Sequence, residues 1–280
     1  MNPYLALTKP RLTLLALGTV FSSYYLASAG PLAWPALFHA LVGAAMIGGG
    51  ANSLNQYLER DIDARMKRTE KRPIPSGKIG EKKALAFGVL LSIAGIAYLR
   101  FLANPLTGAL GFMTVVSYVF FYTPLKQRTI LNTYMGAISG AMPCLLGWAA
   151  ASGGLSVEAW ALFSILFLWQ LPHFLAIGWI YREDYKKGGL QMLSTLDPDG
   201  KRTSCQLIFY SIALLGATLV PAMIGITGLL YLSAVIMSGL LFTSFAWYIA
   251  THRLIHVKAF VPASILYLAT INIFMLLDKL

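Results

Sequence analysis

Acidic residues are scarce in this 280-residue chain, 11 in all, so their placement carries information. The run Asn55-Gln56-Tyr57-Leu58-Glu59-Arg60-Asp61-Ile62-Asp63 sets a carboxamide and two carboxylates, Asn55, Glu59 and Asp63, at i, i+4 and i+8. On one continuous helix such residues drift by about 40° per step and rise about 6 Å, so they form a single stripe. Hard oxygen donors spaced in this way suit Mg2+, which takes one or two carboxylates and completes its shell with water and substrate phosphates. Asp61 falls off the stripe and is placed to pair with Arg65 at i+4. A second acidic pair, Glu183-Asp184, also stands among basic residues. Acids packed beside cations fit a ligand that is polyanionic and metal-bound, and a diphosphate meets that description.

Such a stripe needs elements that hold it at a boundary between oil and water, and the rest of the chain supplies them. Of its residues, 57% are apolar and 12% charged, against about 45–50% and about 25% in soluble domains. Mean hydropathy is +0.66. So few charges cannot cover a water-soluble globule, which excludes an ordinary soluble enzyme, a disordered chain and a disulfide-rich secreted module. The net charge of +11 does not make a nucleic-acid-binding surface either, because the cations fall in short islands between long apolar runs.

Stretches free of Lys, Arg, Asp and Glu mark where the chain can cross a bilayer, since about 20 apolar residues span its core. Residues 12–58 form one such stretch, divided near Gly30-Pro31 and Pro35 into two spans. The next, 84–99, is shorter, with Arg100 able to snorkel from its end. Residues 101–125, 129–157 and 159–181 give one span each, 203–252 breaks around 221–225 into two, and 259–277 is the last. The expected fold is all-α: a polytopic membrane protein with nine transmembrane helices in a single domain over 1–280. With that count, every one of the 22 Lys and Arg except Arg100 and Lys279 falls on one side. The positive-inside rule makes that side cytoplasmic and puts the N-terminus there.

Both acidic groups then lie on the cytoplasmic face, after spans two and six, in loops of about 59–83 and 182–202. Lys9 and Arg11 precede the first span much as Lys126 and Arg128 precede the fifth, an offset that fits two parallel halves facing each other across a central cavity. A solvated interfacial helix end is the competing account of the acids, and it suits Glu183 better than the triplet. The cations over 67–83 are explained by attraction to anionic headgroups. Residues 1–8 carry no positive run, so no cleavable targeting segment is expected. Cys144 and Cys205 both fall in predicted spans and read as buried small apolar residues.

At the acidic residues the chain resembles the UbiA superfamily of intramembrane prenyltransferases. Members carry Asn-x3-Asp-x3-Asp after the second span and another acidic motif after the sixth, and bind a prenyl diphosphate through Mg2+. Glu59 stands where the pattern has Asp, which keeps the carboxylate on one extra methylene. Within the superfamily the similarity is greatest to the heme O synthases. It is carried by Thr8-Lys9-Pro10-Arg11 and by Glu59-Arg60-Asp61-Ile62-Asp63-Ala64-Arg65-Met66-Lys67-Arg68-Thr69. It continues in Tyr122-Thr123-Pro124-Leu125-Lys126 through Asn132, Gly136, Gly140 and Pro143 to Gly147-Trp148. The last stretch is Trp169-Gln170-Leu171-Pro172-His173-Phe174, leading into Arg182-Glu183-Asp184-Tyr185. The likeness covers roughly residues 8–200 and weakens over the last three spans. Arg72-Pro73-Ile74-Pro75-Ser76-Gly77 is shared with quinone- and chlorophyll-prenylating relatives and does not discriminate.

This resemblance implies a Mg2+-dependent transfer of farnesyl from farnesyl diphosphate to the vinyl group of heme b, in a bacterial plasma membrane. It implies metal held by Asn55, Glu59, Asp63 and Asp184, with Glu183 as a further ligand. Lys9, Arg11, Arg60, Arg68 and Lys126 would neutralise the departing diphosphate. His173, with Trp169, would bind heme. The implied partners are farnesyl diphosphate, heme b, membrane lipid and enzymes of the heme pathway, with no nucleic acid. The loop 182–202 would close over the site.

Physical chemistry alone leaves several of these residues open. An isolated membrane histidine such as His173 or His39 is also explained by hydrogen-bonded packing, and the i, i+4 pair His252 and His256 by an interfacial position. Tyr122, Trp148 and Trp169 offer π faces to an allylic cation or simply pack. Gly136 and Gly140 form a small-xxx-small pair that fits close helix packing. Two other functions are compatible with parts of the sequence: prenylation of an aromatic quinone precursor, and transport. A transporter sets its site near the bilayer midplane between inverted repeats, whereas these acids gather at one interface.

Overall fold

The computed structural model describes residues 2–280, and among them the only non-helical pairing is an isolated bridge between Thr227 and Lys279. Nine long helices follow one another: α1 (Pro10–Ala27), α2 (Trp34–Leu58), α3 (Glu81–Leu102), α4 (Pro105–Leu125), α5 (Asn132–Ser152), α6 (Val157–Ile180), α7 (Lys201–Met223), α8 (Leu229–Thr251) and α9 (Val257–Leu277). Eight of them, α2 to α9, are long and apolar enough to cross a membrane. Helix α1 has 18 residues and is less apolar because Pro10, Arg11, Ser22, Ser23, Tyr24 and Tyr25 lie in it. It packs against α2, α5 and α6 and reaches α9, so the last helix meets the first. Short helices Pro3–Leu7, Arg60–Asp63, Arg182–Lys187 and Leu193–Leu196 sit in the segments between.

Helix ends follow local chemistry. Proline stands in the first turn of α1, α2 and α4, where its missing N–H costs nothing. The Asn104 carboxamide caps α4 by accepting from the Thr107 N–H at 2.8 Å. That cap moves the α3–α4 break from Arg100, where the charge pattern sets it, to residues 103–104. Helix α5 ends on Gly153 in the left-handed region, φ 72°. Within α4, Val116–Tyr122 is a π-helical stretch, the kind of widened turn that recurs where a helix must re-aim side chains at a site.

Outward faces carry Leu14, Leu15, Leu90, Phe120, Phe209 and Leu241 exposed, as a lipid-facing surface requires. Cys144 is buried against Ser23 as expected, but Cys205 lies on an exposed face of α7, since helical phase sets it opposite the buried Thr203 and Leu207. Gly136 and Gly140 are explained by specific neighbours: a Cβ on the first would strike the Tyr122 ring, and one on the second the Gln170 carboxamide. At one end of the bundle, Ile62 and Met66 from the segment after α2 bury against Tyr185 and Leu190 from the segment after α6. That small core fixes the two acidic segments to each other.

Candidate active site

Helix α2 closes at Leu58, yet the hydrogen-bond ladder scarcely breaks: Glu59 N–H donates to Asn55 C=O at 2.9 Å and Asp63 N–H to Glu59 C=O at 2.7 Å. The stripe expected from the spacing therefore survives into Arg60–Asp63. Asn55, Glu59 and Asp63 are all buried, and each faces a cation from a different part of the chain. Lys9 Nζ donates to Asn55 Oδ1 at 3.0 Å, Lys126 Nζ to Glu59 Oε1 at 2.7 Å, and Arg72 to Asp63 Oδ2 at 2.6 Å. The Asn55 amide nitrogen donates to Thr123 Oγ1 at 3.1 Å, and that hydroxyl donates to Tyr118 C=O across the π-helical turn. Lys126 also lies 4.2 Å from the centroid of Tyr122, so the tyrosine face joins the charge cluster.

Crowding of charge inside the fold shifts these groups in opposite directions. Burial, with Arg72 and Lys126 nearby, lowers the Lys9 ammonium to about 7. Burial works to raise Glu59, but the Lys126 charge and hydrogen bond outweigh it and hold this carboxyl below its ordinary value. At Asp63 the balance reverses: burial outweighs Arg72 and the carboxyl is pushed up. Lys126 is held up, since Glu59 overcomes the effect of its burial. Lys9 occupies the left-handed region, φ 48°, directly before Pro10. A non-glycine residue there stores strain that the surrounding contacts must hold.

Asp184 meets the first acidic segment through the main chain: the Arg68 N–H donates to its Oδ2 at 3.2 Å. The Arg68 guanidinium lies 5.1 Å from the centroid of Tyr181 and 5.7 Å from that of Tyr185. Other expectations are corrected. Glu183 points to solvent and pairs with Lys186 at 3.3 Å, because it sits on the outer side of a one-and-a-half-turn helix whose inner side carries Tyr185. Arg60 turns away from the stripe, 2.9 Å from Glu81 and over the Tyr57 ring, because its position is one residue off the buried face. Asp61 does not reach Arg65; helix ends at Asp63, so the i+4 register is lost, and its nearest cation is Arg60 at 3.9 Å. Arg11 is exposed on α1. Arg72, by contrast, belongs to the site, although the cationic run around it reads as a headgroup-binding loop. Its only sequence signal is the Arg-Pro-Ile-Pro segment, whose two prolines stiffen the turn behind it.

Among the described residues no three His, Cys, Asp or Glu side chains converge as a preformed metal cage. The donor set nonetheless fits a hard divalent ion. It is all oxygen, and Asp63 Oδ1 is fully buried with no hydrogen-bond partner, an acceptor left open toward a cation or donor. Farther into the bundle on α6, His173 Nδ1 lies 2.7 Å from Ser264 Oγ of α9, and the Trp169 ring stacks on His173 with centroids 4.8 Å apart. His39 bonds Tyr98 at 2.8 Å, and His252 and His256 flank Tyr248 at the exposed end of α8.

An all-helical membrane bundle with a buried carboxylate stripe, ringed by cations where two interhelical segments meet, has the architecture of an intramembrane prenyltransferase. The family model for the UbiA prenyltransferase family matches residues 16–277, and the chain belongs to that family. A protoheme IX farnesyltransferase of Solibacter usitatus is 44% identical over 100% of this chain and 99% of its own length. One of Koribacter versatilis is 38% identical over 100% of this chain and 94% of its own. Among solved structures, a digeranylgeranylglyceryl phosphate synthase superposes with TM-score 0.83 at 17% identity, covering 99% of this chain and 97% of that one. A UbiA homologue from Archaeoglobus fulgidus bound to DMAPP and Mg2+ gives TM-score 0.68 at 15% identity, with 98% of each chain covered. At those identities the likeness is one of fold. The chain is an integral membrane protein.

Proposed function

We propose that this protein transfers the farnesyl group of farnesyl diphosphate to a vinyl group of heme b, with water adding, to give hydroxyethylfarnesyl heme (heme O). The farnesyl C1–O bond breaks and a C–C bond forms to the outer vinyl carbon. Water supplies the hydroxyl on the inner one, and diphosphate and a proton leave. The observation that carries the prenyl-transfer reading is the buried stripe of Asn55, Glu59 and Asp63 with Lys9, Lys126 and Arg72 against it. The protoheme IX farnesyltransferases that align with the whole chain support the acceptor.

Mg2+ held by Asn55, Glu59, Asp63 and Asp184 would supply the charge that makes diphosphate a competent leaving group. The chain's own cations do the rest. Lys126 and Arg72 stand ready to turn from the carboxylates, and Lys9 from the Asn55 carboxamide, to phosphate oxygens, and Arg68 extends that field toward the segment after α6. Burial makes each such contact worth more than it would be in water. Tyr122 offers its face beside Lys126, and the apolar interior of the bundle keeps water from the allylic fragment until the acceptor is alkylated. His173 and Trp169 bind the heme. The cation-rich end of the bundle lies in the cytoplasm of a bacterial cell, with the N-terminus, as the charge bias supports.

Purified protein given labelled farnesyl diphosphate and either heme b or 4-hydroxybenzoate tests the acceptor, with mass spectrometry of products across a series of allylic diphosphates. Prenylated heme b is expected. Prenylation of the phenol alone would replace this reading with a quinone-precursor enzyme.

A further inference from the structure

Two aromatic rings of α6 are tied to one residue of the last helix. The Trp169 indole N–H donates to the Ser264 C=O at 2.6 Å, and His173 Nδ1 lies 2.7 Å from the Ser264 hydroxyl. Ser264 is wholly buried, and its hydroxyl oxygen is also 2.7 Å from the Val261 C=O one turn back in α9. The Trp169 ring lies nearly parallel to the imidazole, at 22°, and blocks it from swinging.

A serine has one hydroxyl proton, and that fixes the tautomer of the histidine. If the proton goes to His173 Nδ1, the Val261 bond is lost and Nε2 must carry an N–H that has no hydrogen-bond partner in the protein. If the proton goes to Val261, Ser264 accepts from His173 Nδ1–H, both bonds form, and Nε2 keeps only a lone pair. The second arrangement satisfies both bonds of the serine hydroxyl where the first satisfies one, and leaves no ring N–H without a partner. Nε2 makes no hydrogen bond, yet it is not among the fully buried polar atoms that lack one.

We infer that Ser264 is a positioning residue that holds His173 as its Nδ1–H tautomer, with the Nε2 lone pair presented as an axial ligand to the iron of the heme substrate. This rests on heme b being the acceptor. A hydrogen bond to the far ring nitrogen is the usual means of orienting a metal-bound imidazole and raising its basicity. Ligation from Nε2 needs no proton to leave. It gives α9 a part in acceptor binding, and Trp169 a part in holding the ring plane.

The test is heme b titration of the purified full-length protein, read by the Soret and visible bands, for wild type, His173→Ala, Ser264→Ala, Ser264→Thr and the His173→Ala/Ser264→Ala pair. An imidazole-ligation signature is expected in wild type and in Ser264→Thr, which retains the hydroxyl, and is lost in His173→Ala. Ser264→Ala should weaken heme binding about ten- to a hundred-fold, with the same spectral loss, and should add nothing in the His173→Ala background. Unchanged ligation in Ser264→Ala overturns the inference, as does equal weakening with and without His173, which would mark a packing role. If Ser264→Ala does not fold, Ser264→Cys keeps the volume while weakening both bonds, and an unaltered spectrum there overturns it equally. Prenylated heme made by a protein whose ligation survives His173→Ala sinks this inference and spares the acceptor reading. Failure of wild type to bind or prenylate heme b sinks the acceptor reading itself.

Discussion

The Arg72 guanidinium stands 2.6 Å from the Asp63 carboxylate, which is entirely buried. The loop that leaves the acidic stripe thus folds back to neutralise it. Removing one partner of a buried pair leaves a charge with no solvent, at a cost of about 3–5 kcal/mol. Arg72→Met is therefore expected to lower the melting temperature markedly and to abolish turnover. Pairing it with Asp63→Asn should recover much of the stability and none of the activity. Thermal unfolding in detergent and product mass spectrometry on the two variants separate these outcomes. Equal melting temperatures for Arg72→Met and wild type would show that Asp63 does not depend on this pair.

Within the stripe, Asp63→Asn and Glu59→Gln keep shape and remove charge. Both proteins are expected to insert into the membrane and to lose prenyl transfer by at least about a hundredfold, in line with losing one group that stabilises transition-state charge. Chelation of divalent ions from the wild type should produce the same loss, reversed by added Mg2+. Wild-type rates in both variants would remove the stripe from the chemistry.

Much of this site could be read from the sequence because its two signals are local. The i, i+4, i+8 spacing survives a helix end as long as the main-chain ladder runs on, and here it runs on through Glu59 N–H to Asn55 C=O. Charge-free runs locate the spans because lipid permits little else. What the sequence concealed depends on chain path. Arg72 reaches Asp63 only because the loop returns, and Arg60, already one residue off the buried face, finds its partner in Glu81 at the head of α3, which the sequence does not place beside it. Ser264 is one serine in a long apolar helix, and nothing in its neighbours announces that it meets His173 across 91 positions.

Glycine substitutions test the close packing behind the site. Gly140→Ala would push a methyl into the Gln170 carboxamide, which already donates to the Ala137 and Leu166 carbonyls at 3.1 Å. Overpacking of this kind costs about 1–3 kcal/mol, so a lower melting temperature is expected. Gly18→Ala and Gly216→Ala, where a Cβ meets nothing within 4 Å, should leave stability unchanged or raise it through helix propensity. Equal effects at all three positions would mean that backbone propensity, not contact, governs this bundle.

Lys279 ties the last helix to the first at the end of the bundle opposite the acids. Its Nζ donates to the Tyr25 and Ser28 carbonyls at 2.7 and 2.6 Å and lies 4.8 Å from the Tyr25 ring centroid. Those carbonyls lie at the C-terminus of α1, where the Tyr25 C=O accepts from the Ser28 N–H as well, and where spare acceptor capacity and the helix dipole both favour a cation. Charged hydrogen bonds of this type contribute about 1.5–3 kcal/mol each before their desolvation cost is counted. Lys279→Met is expected to lower the melting temperature by several degrees. Because nothing connects it to the carboxylate stripe, turnover per folded molecule should stay at the wild-type level. Lys279→Arg should restore much of the loss, since a guanidinium can serve both carbonyls. A fall in turnover without a fall in stability would instead make the α1–α9 contact part of the catalytic cycle.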